Sequence, residues 1–162
     1  MSRIFRSRFA AAAFVLFAAL VTALAVSAQP AARNSITTAD AWVRATPPRA
    51  RVAAGYVNIT NNGTRPDRLI SVASPDAPVV EIHEMRKDGE VMRMRRVADG
   101  VAINPRSTVR LAPGGIHLMF IDPSRQFVAG ETVRATLRFQ SGAVREVTFE
   151  VRPVTTTTPE AE

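Results

Sequence analysis

With its first 28 residues set aside, the chain predicts an all-β fold, a sandwich or small barrel. Three observations lead there. No long segment with a 3.6-residue apolar period follows residue 28. Short runs of β-type residues recur between turn residues. Apolar and polar side chains alternate in Val133-Arg134-Ala135-Thr136-Leu137-Arg138-Phe139 and again in Val147-Thr148-Phe149-Glu150-Val151, the period of a strand with one face buried.

Residues 1–28 carry Arg3, Arg6 and Arg8, then an apolar stretch from Phe9 to Val26, then Val26-Ser27-Ala28 before Gln29. A basic start, a short apolar centre and small residues at a cleavage point make a secretory signal peptide. The apolar run is short for a retained membrane span. Residues 29–35 read as a flexible leader and 36–152 as the folded domain. Within that domain, strands are expected at 40–45, 52–60, 68–73, 79–86, 90–97, 107–111, 116–122, 131–139 and 143–151. They are separated by Pro47-Pro48, Asn61-Asn62-Gly63, Ser74-Pro75, Asp88-Gly89, Pro113-Gly114-Gly115 and Ser141-Gly142. Residues 153–162 have little apolar content to dock and read as a disordered tail.

Composition removes several classes of chemistry. The 162 residues contain no cysteine. Disulfides, thiolate zinc sites, iron–sulfur clusters, cysteine nucleophiles and blue-copper thiolates are therefore out of reach. Setting aside Arg3, Arg6 and Arg8 leaves 18 basic against 14 acidic side chains, a net charge of +4. The arginines are scattered and often alternate with apolar residues, unlike a nucleic-acid-binding patch. No P-loop, dinucleotide fingerprint or nucleophile–base motif is visible, and an enzyme is not expected.

One segment stands apart. Both histidines and all four methionines beyond Met1 fall between His83 and Met119. Methionine usually fills gaps in a core, but a packing role does not require every copy to share one segment with every histidine. Asp88-Gly89 lies at the centre of EIHEMRKDGEVMRMRR and favours a two-residue type I′ hairpin. That turn would set Met85 opposite Met92, His83 opposite Met94 and Glu84 opposite Arg93. His83, Met85, Met92 and Met94 would share one face. In Gly115-Ile116-His117-Leu118-Met119-Phe120, strand alternation sends Ile116, Leu118 and Phe120 to the core and His117 with Met119 to the other side. The six donors converge if this strand lies beside the hairpin. Thioethers are soft and neutral and suit Cu(I), whereas calcium and magnesium want oxygen ligands. A neutral set of two histidines and two methionines favours Cu(I) over Cu(II).

At this point the sequence resembles the PCu(A)C copper chaperone family over residues 40–151. Matching stretches are AWVRATPP (41–48), GYVNITNNG (55–63), HEMRKDGEVMRMR (83–95) and LAPGGIHLMF (111–120). The family spacing is His, ten residues, Met, about twenty-one residues, His-x-Met. Here Met94 follows His83 after ten residues, and His117-Leu118-Met119 follows after twenty-two. The resemblance implies a cupredoxin-like or immunoglobulin-like Greek-key β-sandwich. It implies His83, Met94, His117 and Met119 as ligands of Cu(I), with Met85 and Met92 as alternative ligands or pocket wall. It also implies a periplasmic chaperone that delivers copper towards the binuclear centre of cytochrome c oxidase. Its partners would be oxidase subunit II and a thioredoxin-like copper assembly factor. Copper buffering or tolerance is the alternative role, and a structural β-sandwich without metal is a further one. Trp42 and Tyr56 read as core or rim aromatics, and Arg44 as either paired with an internal carboxylate or facing solvent.

Overall fold

A computed structural model describes residues 36–154. The expected signal peptide (1–28) and leader (29–35), and the tail beyond Val154, lie outside the described residues.

Alternation of apolar and polar side chains builds ten strands. They are β1 (Ile36–Arg44), β2 (Val52–Asn61), β3 (Asp67–Ser74), β4 (Ala77–Asp88), β5 (Val91–Arg96), β6 (Val101–Ile103), β7 (Ser107–Leu111), β8 (Ile116–Ile121), β9 (Thr132–Phe139) and β10 (Val144–Arg152). The described residues contain no helix. In β9, Val133, Ala135, Leu137 and Phe139 are buried and their neighbours point outward. Most strand bounds lie within two residues of the sequence reading, and two elements differ by more. β1 starts at Ile36 rather than at residue 40, because Asp40 is an irregularity inside the strand and not its beginning. Its φ is 51°, the register with β2 shifts between Ala39 and Trp42, and its carboxylate accepts a 2.7 Å hydrogen bond from Asn58. β6 is additional; three residues are too few to display a period.

The strands form one sheet in the order β5-β4-β8-β2-β1-β10-β9-β3-β6, with β7 also on β2 and a further pairing of β3 with β4. That last pairing closes seven strands, β3-β4-β8-β2-β1-β10-β9, into a barrel-like ring. Only β1 with β10 is parallel. The interior holds Val43, Ile59, Leu69, Leu118, Phe120, Phe127, Val133, Leu137 and Phe149, each fully enclosed. Phe120 meets Phe127 and Phe149 edge-on, with ring centroids 5.9 and 6.0 Å apart. Each such side chain contributes about 1.5–3 kcal/mol of apolar burial. β8 runs between β4 and β2, so its two faces do separate work. Leu118 and Phe120 anchor it in the core, and His117 and Met119 project to the other side.

Candidate metal centre

The site is built from cross-strand rows on the outer face of β5, β4, β8, β2 and β1. His83 pairs with Arg96 across β4–β5 and with His117 across β4–β8. Leu118 pairs with Gly55, which brings His117 next to Tyr56, and Tyr56 pairs with Trp42. The rings follow this row, with centroid separations of 6.2 Å for His83–His117, 6.5 Å for His117–Tyr56 and 4.3 Å for Tyr56–Trp42. On one side of the row Met85 faces Met94. On the other, Met119 lies between Glu81 on β4 and Ala54 on β2. The small Ala54 side chain leaves room there. A cleft of about 460 Å³ opens beside these rows, lined by Met85, Met94, His117, Met119, Tyr56 and Arg44 among others, with His83 outside its lining.

The hairpin register differs from the expected one. The loop is Gly89-Glu90, not Asp88-Gly89, since Asp88 pairs with Val91. Gly89 has a φ of 63° and Glu90 is not in the positive-φ region. A lone left-handed glycine at the first loop position is the type II′ pattern, whereas type I′ needs positive φ at both positions. Met85 therefore faces Met94 instead of Met92, Met92 faces Lys87, and His83 faces Arg96 instead of Met94. The expected Glu84–Arg93 pair is also replaced: Glu84 takes Arg86 at 3.6 Å and Arg93 takes Asp88 at 3.0 Å. The set on one face survives because the pairing moves by a whole two-residue step, which preserves side-chain parity.

His83, Met94, His117 and Met119 thus lie on adjoining rows of one face. Met85 lies among them and lines the cleft. Met92 does not line it and stays half exposed at the hairpin tip. Both imidazoles have their tautomers set by hydrogen bonding. His117 Nδ1 lies 3.0 Å from the Gly115 carbonyl oxygen. A carbonyl only accepts, so Nδ1 carries the proton and Nε2 keeps its lone pair. The same carbonyl accepts from the Met85 backbone N–H at 3.1 Å, which ties the Pro113-Gly114-Gly115 turn to β4. His83 Nε2 lies 2.9 Å from the Glu81 carboxylate, so it is the donor. His83 Nδ1 is left buried with no hydrogen-bond partner. An unpartnered buried nitrogen lone pair is costly unless something fills its position.

Sequence reading passed over Glu81 and gave Tyr56 and Arg44 no part in the site. Glu81 shares a strand face with His83 at a spacing of two, a signal present in the sequence. The hydrogen bond from His83 holds its carboxyl below the usual value, against the effect of burial and helped by Arg96 at 3.2 Å. Tyr56 is 5% exposed, and burial pushes its phenol above the ordinary value while Arg44 pulls it down. Arg44 is partly buried and lines the cleft, and its Nε is buried without a hydrogen-bond partner. Among the described residues no group of three or more His, Asp or Glu side chains is gathered to hold a hard cation. The donors assembled here are imidazoles and thioethers.

Known proteins resemble this chain over the same strands. A family model described as "Putative lipoprotein LpqE-like" matches residues 36–151. A relative from Leifsonia xyli subsp. xyli, described as "Putative lipoprotein Lxx21020", is 28% identical over 153 residues, which cover 93% of this chain and 91% of that protein. A solved structure described as the copper-bound PCuAC domain from PmoF2 superposes with a TM-score of 0.62 at 28% identity, covering 74% of this chain and 93% of that domain. The solution structure of CuI-DR1885 from Deinococcus radiodurans superposes with a TM-score of 0.57 at 28% identity, covering 78% and 83%. The all-β architecture is that of PCuAC domains. Matched from its first described strand to its last, this chain belongs to the LpqE-like family.

Proposed function

We propose that this chain is a Cu(I)-binding carrier, with His83, Met94, His117 and Met119 as the donor set. One observation supports this above the others. The lone pairs of two tautomerically fixed imidazoles lie on one face beside thioethers, and one of them, on His83 Nδ1, is buried without a partner. The donor set is neutral and soft, which suits Cu(I). Two of the similar structures are described as copper-bound and CuI forms, in keeping with this reading.

The geometry also suits release. Met94 is 49% exposed, whereas His117 is 5% exposed. An incoming partner ligand reaches copper from the Met94 side, displaces that thioether first and the buried imidazole last. With four protein donors no position is left open for substrate, so we read the protein as a carrier without catalytic turnover. We place it in the periplasm. We take its acceptor to be the binuclear copper centre of cytochrome c oxidase subunit II, with a thioredoxin-like assembly factor alongside. The cupredoxin-like Greek-key description belongs to the same proposal.

Anaerobic Cu(I) titration of the full chain, with H83A and M119L beside it, tests the site. Tight one-to-one binding that both substitutions weaken is expected. Unchanged affinity in both variants, or an X-ray absorption spectrum of the copper-loaded protein without sulfur neighbours, would refute it. Delivery is tested separately by deleting the gene and measuring oxidase activity under copper limitation. Normal activity there, with increased copper sensitivity, would point to tolerance instead.

A further inference from the structure

Beside His83 lies a pair of charged residues that the donor set does not use. Glu81 and His83 are two positions apart on β4 and point to one face. Arg96 faces His83 from β5, and Met119 faces Glu81 from β8. One Glu81 oxygen accepts from His83 Nε2 at 2.9 Å, and the other lies 3.2 Å from an Arg96 guanidinium nitrogen. The three side chains grade from 65% exposed at Arg96 to 20% at Glu81 and 16% at His83. The ionic end therefore faces water and the imidazole faces inward.

On the Cu(I) reading above, we propose that Glu81 is the positioning residue of the metal site: ion-paired with Arg96, it keeps the His83 proton on Nε2 and presents Nδ1 to the metal. A carboxylate only accepts hydrogen bonds, so the proton it faces cannot move to the other ring nitrogen without breaking the contact. The partner on the far nitrogen of a metal-binding histidine fixes the ring's tautomer and orientation and raises its basicity. His117 is held by a different device, a backbone carbonyl on Nδ1, and offers Nε2. The two histidines thus bind through opposite ring nitrogens. Without Glu81 the His83 ring is free to turn about χ2 and offer Nε2, which places the donor atom elsewhere and pulls the metal out of line with the thioethers. Arg96 supports the arrangement through charge, as a largely exposed ion-pair partner of the second Glu81 oxygen.

Nitrogen-15 NMR of the full chain, labelled at histidine and titrated anaerobically with Cu(I), reads the assignment. On loading, His83 Nδ1 and His117 Nε2 should change while His83 Nε2 keeps its proton. Ligation through His83 Nε2 overturns the proposal and leaves the Cu(I) reading intact; a chain that takes up no Cu(I) overturns both. E81A should weaken Cu(I) binding by about 10- to 100-fold, the usual cost of losing such a partner. E81Q, whose amide oxygen still accepts, should lose less. In an H83A background E81A should change affinity by less than about twofold, because the residue it orients is gone. An equal loss in both backgrounds makes Glu81 merely structural and overturns the proposal, as does wild-type affinity in E81A.

Discussion

Gly55→Ala addresses how tightly the site strand is seated. Gly55 lies in β2 opposite Leu118, the core residue between His117 and Met119. A Cβ built there meets Phe120 Cε2 at 2.7 Å and Leu118 Cβ at 3.6 Å. The first contact is about 0.7 Å short of an ordinary carbon–carbon approach. Phe120 is fully enclosed and locked edge-on between Phe127 and Phe149, so it cannot turn aside without displacing two further rings. Overpacking of this kind costs about 1–3 kcal/mol. Replacing a strand glycine by alanine returns about 0.5–1 kcal/mol of backbone entropy, which is smaller. The net expectation is a loss centred on about 1 kcal/mol and reaching about 2.5 kcal/mol, read as a lower urea midpoint at unchanged m-value. Because the displaced ring sits on β8, Cu(I) affinity should fall as well. A variant as stable as the parent would show that β2 and β8 separate at no cost, and the account of β8 as a rigid platform would be wrong.

Three other outcomes are expected. Thr46 Oγ1 accepts from the buried Phe127 N–H at 3.0 Å; Thr46→Val should cost about 1–3 kcal/mol by orphaning that donor, whereas Thr46→Ser should retain most of the stability in the same denaturation assay. Met94→Leu should weaken Cu(I) binding at least about tenfold, about 1.4 kcal/mol, and Met92→Leu should leave it within about twofold; equal effects in a competition titration would contradict the placement of these residues. Tyr56 is the single tyrosine, and the ultraviolet absorbance of its phenolate should appear above pH 10.0, its ordinary value, because burial disfavours the charged form. Its contribution to stability is complete below that pH and is lost as pH rises through the folded-state value. Arg44→Met removes a cation that lowers the pKa, so the same titration should move further upward.

Alternation of side chains and the positions of turn residues were enough to identify an all-β chain and most of its strands. β9 and β10 show why: a strand with one buried face writes its period directly into the sequence. The short β6 and the irregularity at Asp40 left no period to read. The candidate donors were legible because their types are rare and concentrated between residues 83 and 119. Which of them face one another was not, since moving the loop by one residue shifts the pairing by two, which changes every partner while leaving the face unaltered.

The sequence by itself determined the chemistry on offer: no thiolates, two imidazoles, four thioethers beyond Met1, and His117 and Met119 on the same side of a strand. The tertiary structure decided that β8 lies beside β4, so that His83 and His117 become direct neighbours although 34 positions separate them. It also decided which nitrogen each histidine leaves free, since that depends on a carboxylate and a carbonyl brought within hydrogen-bond reach. Composition and period are local properties of the chain. Strand order, register and tautomer are set by long-range packing and hydrogen bonding, which a linear pattern does not encode.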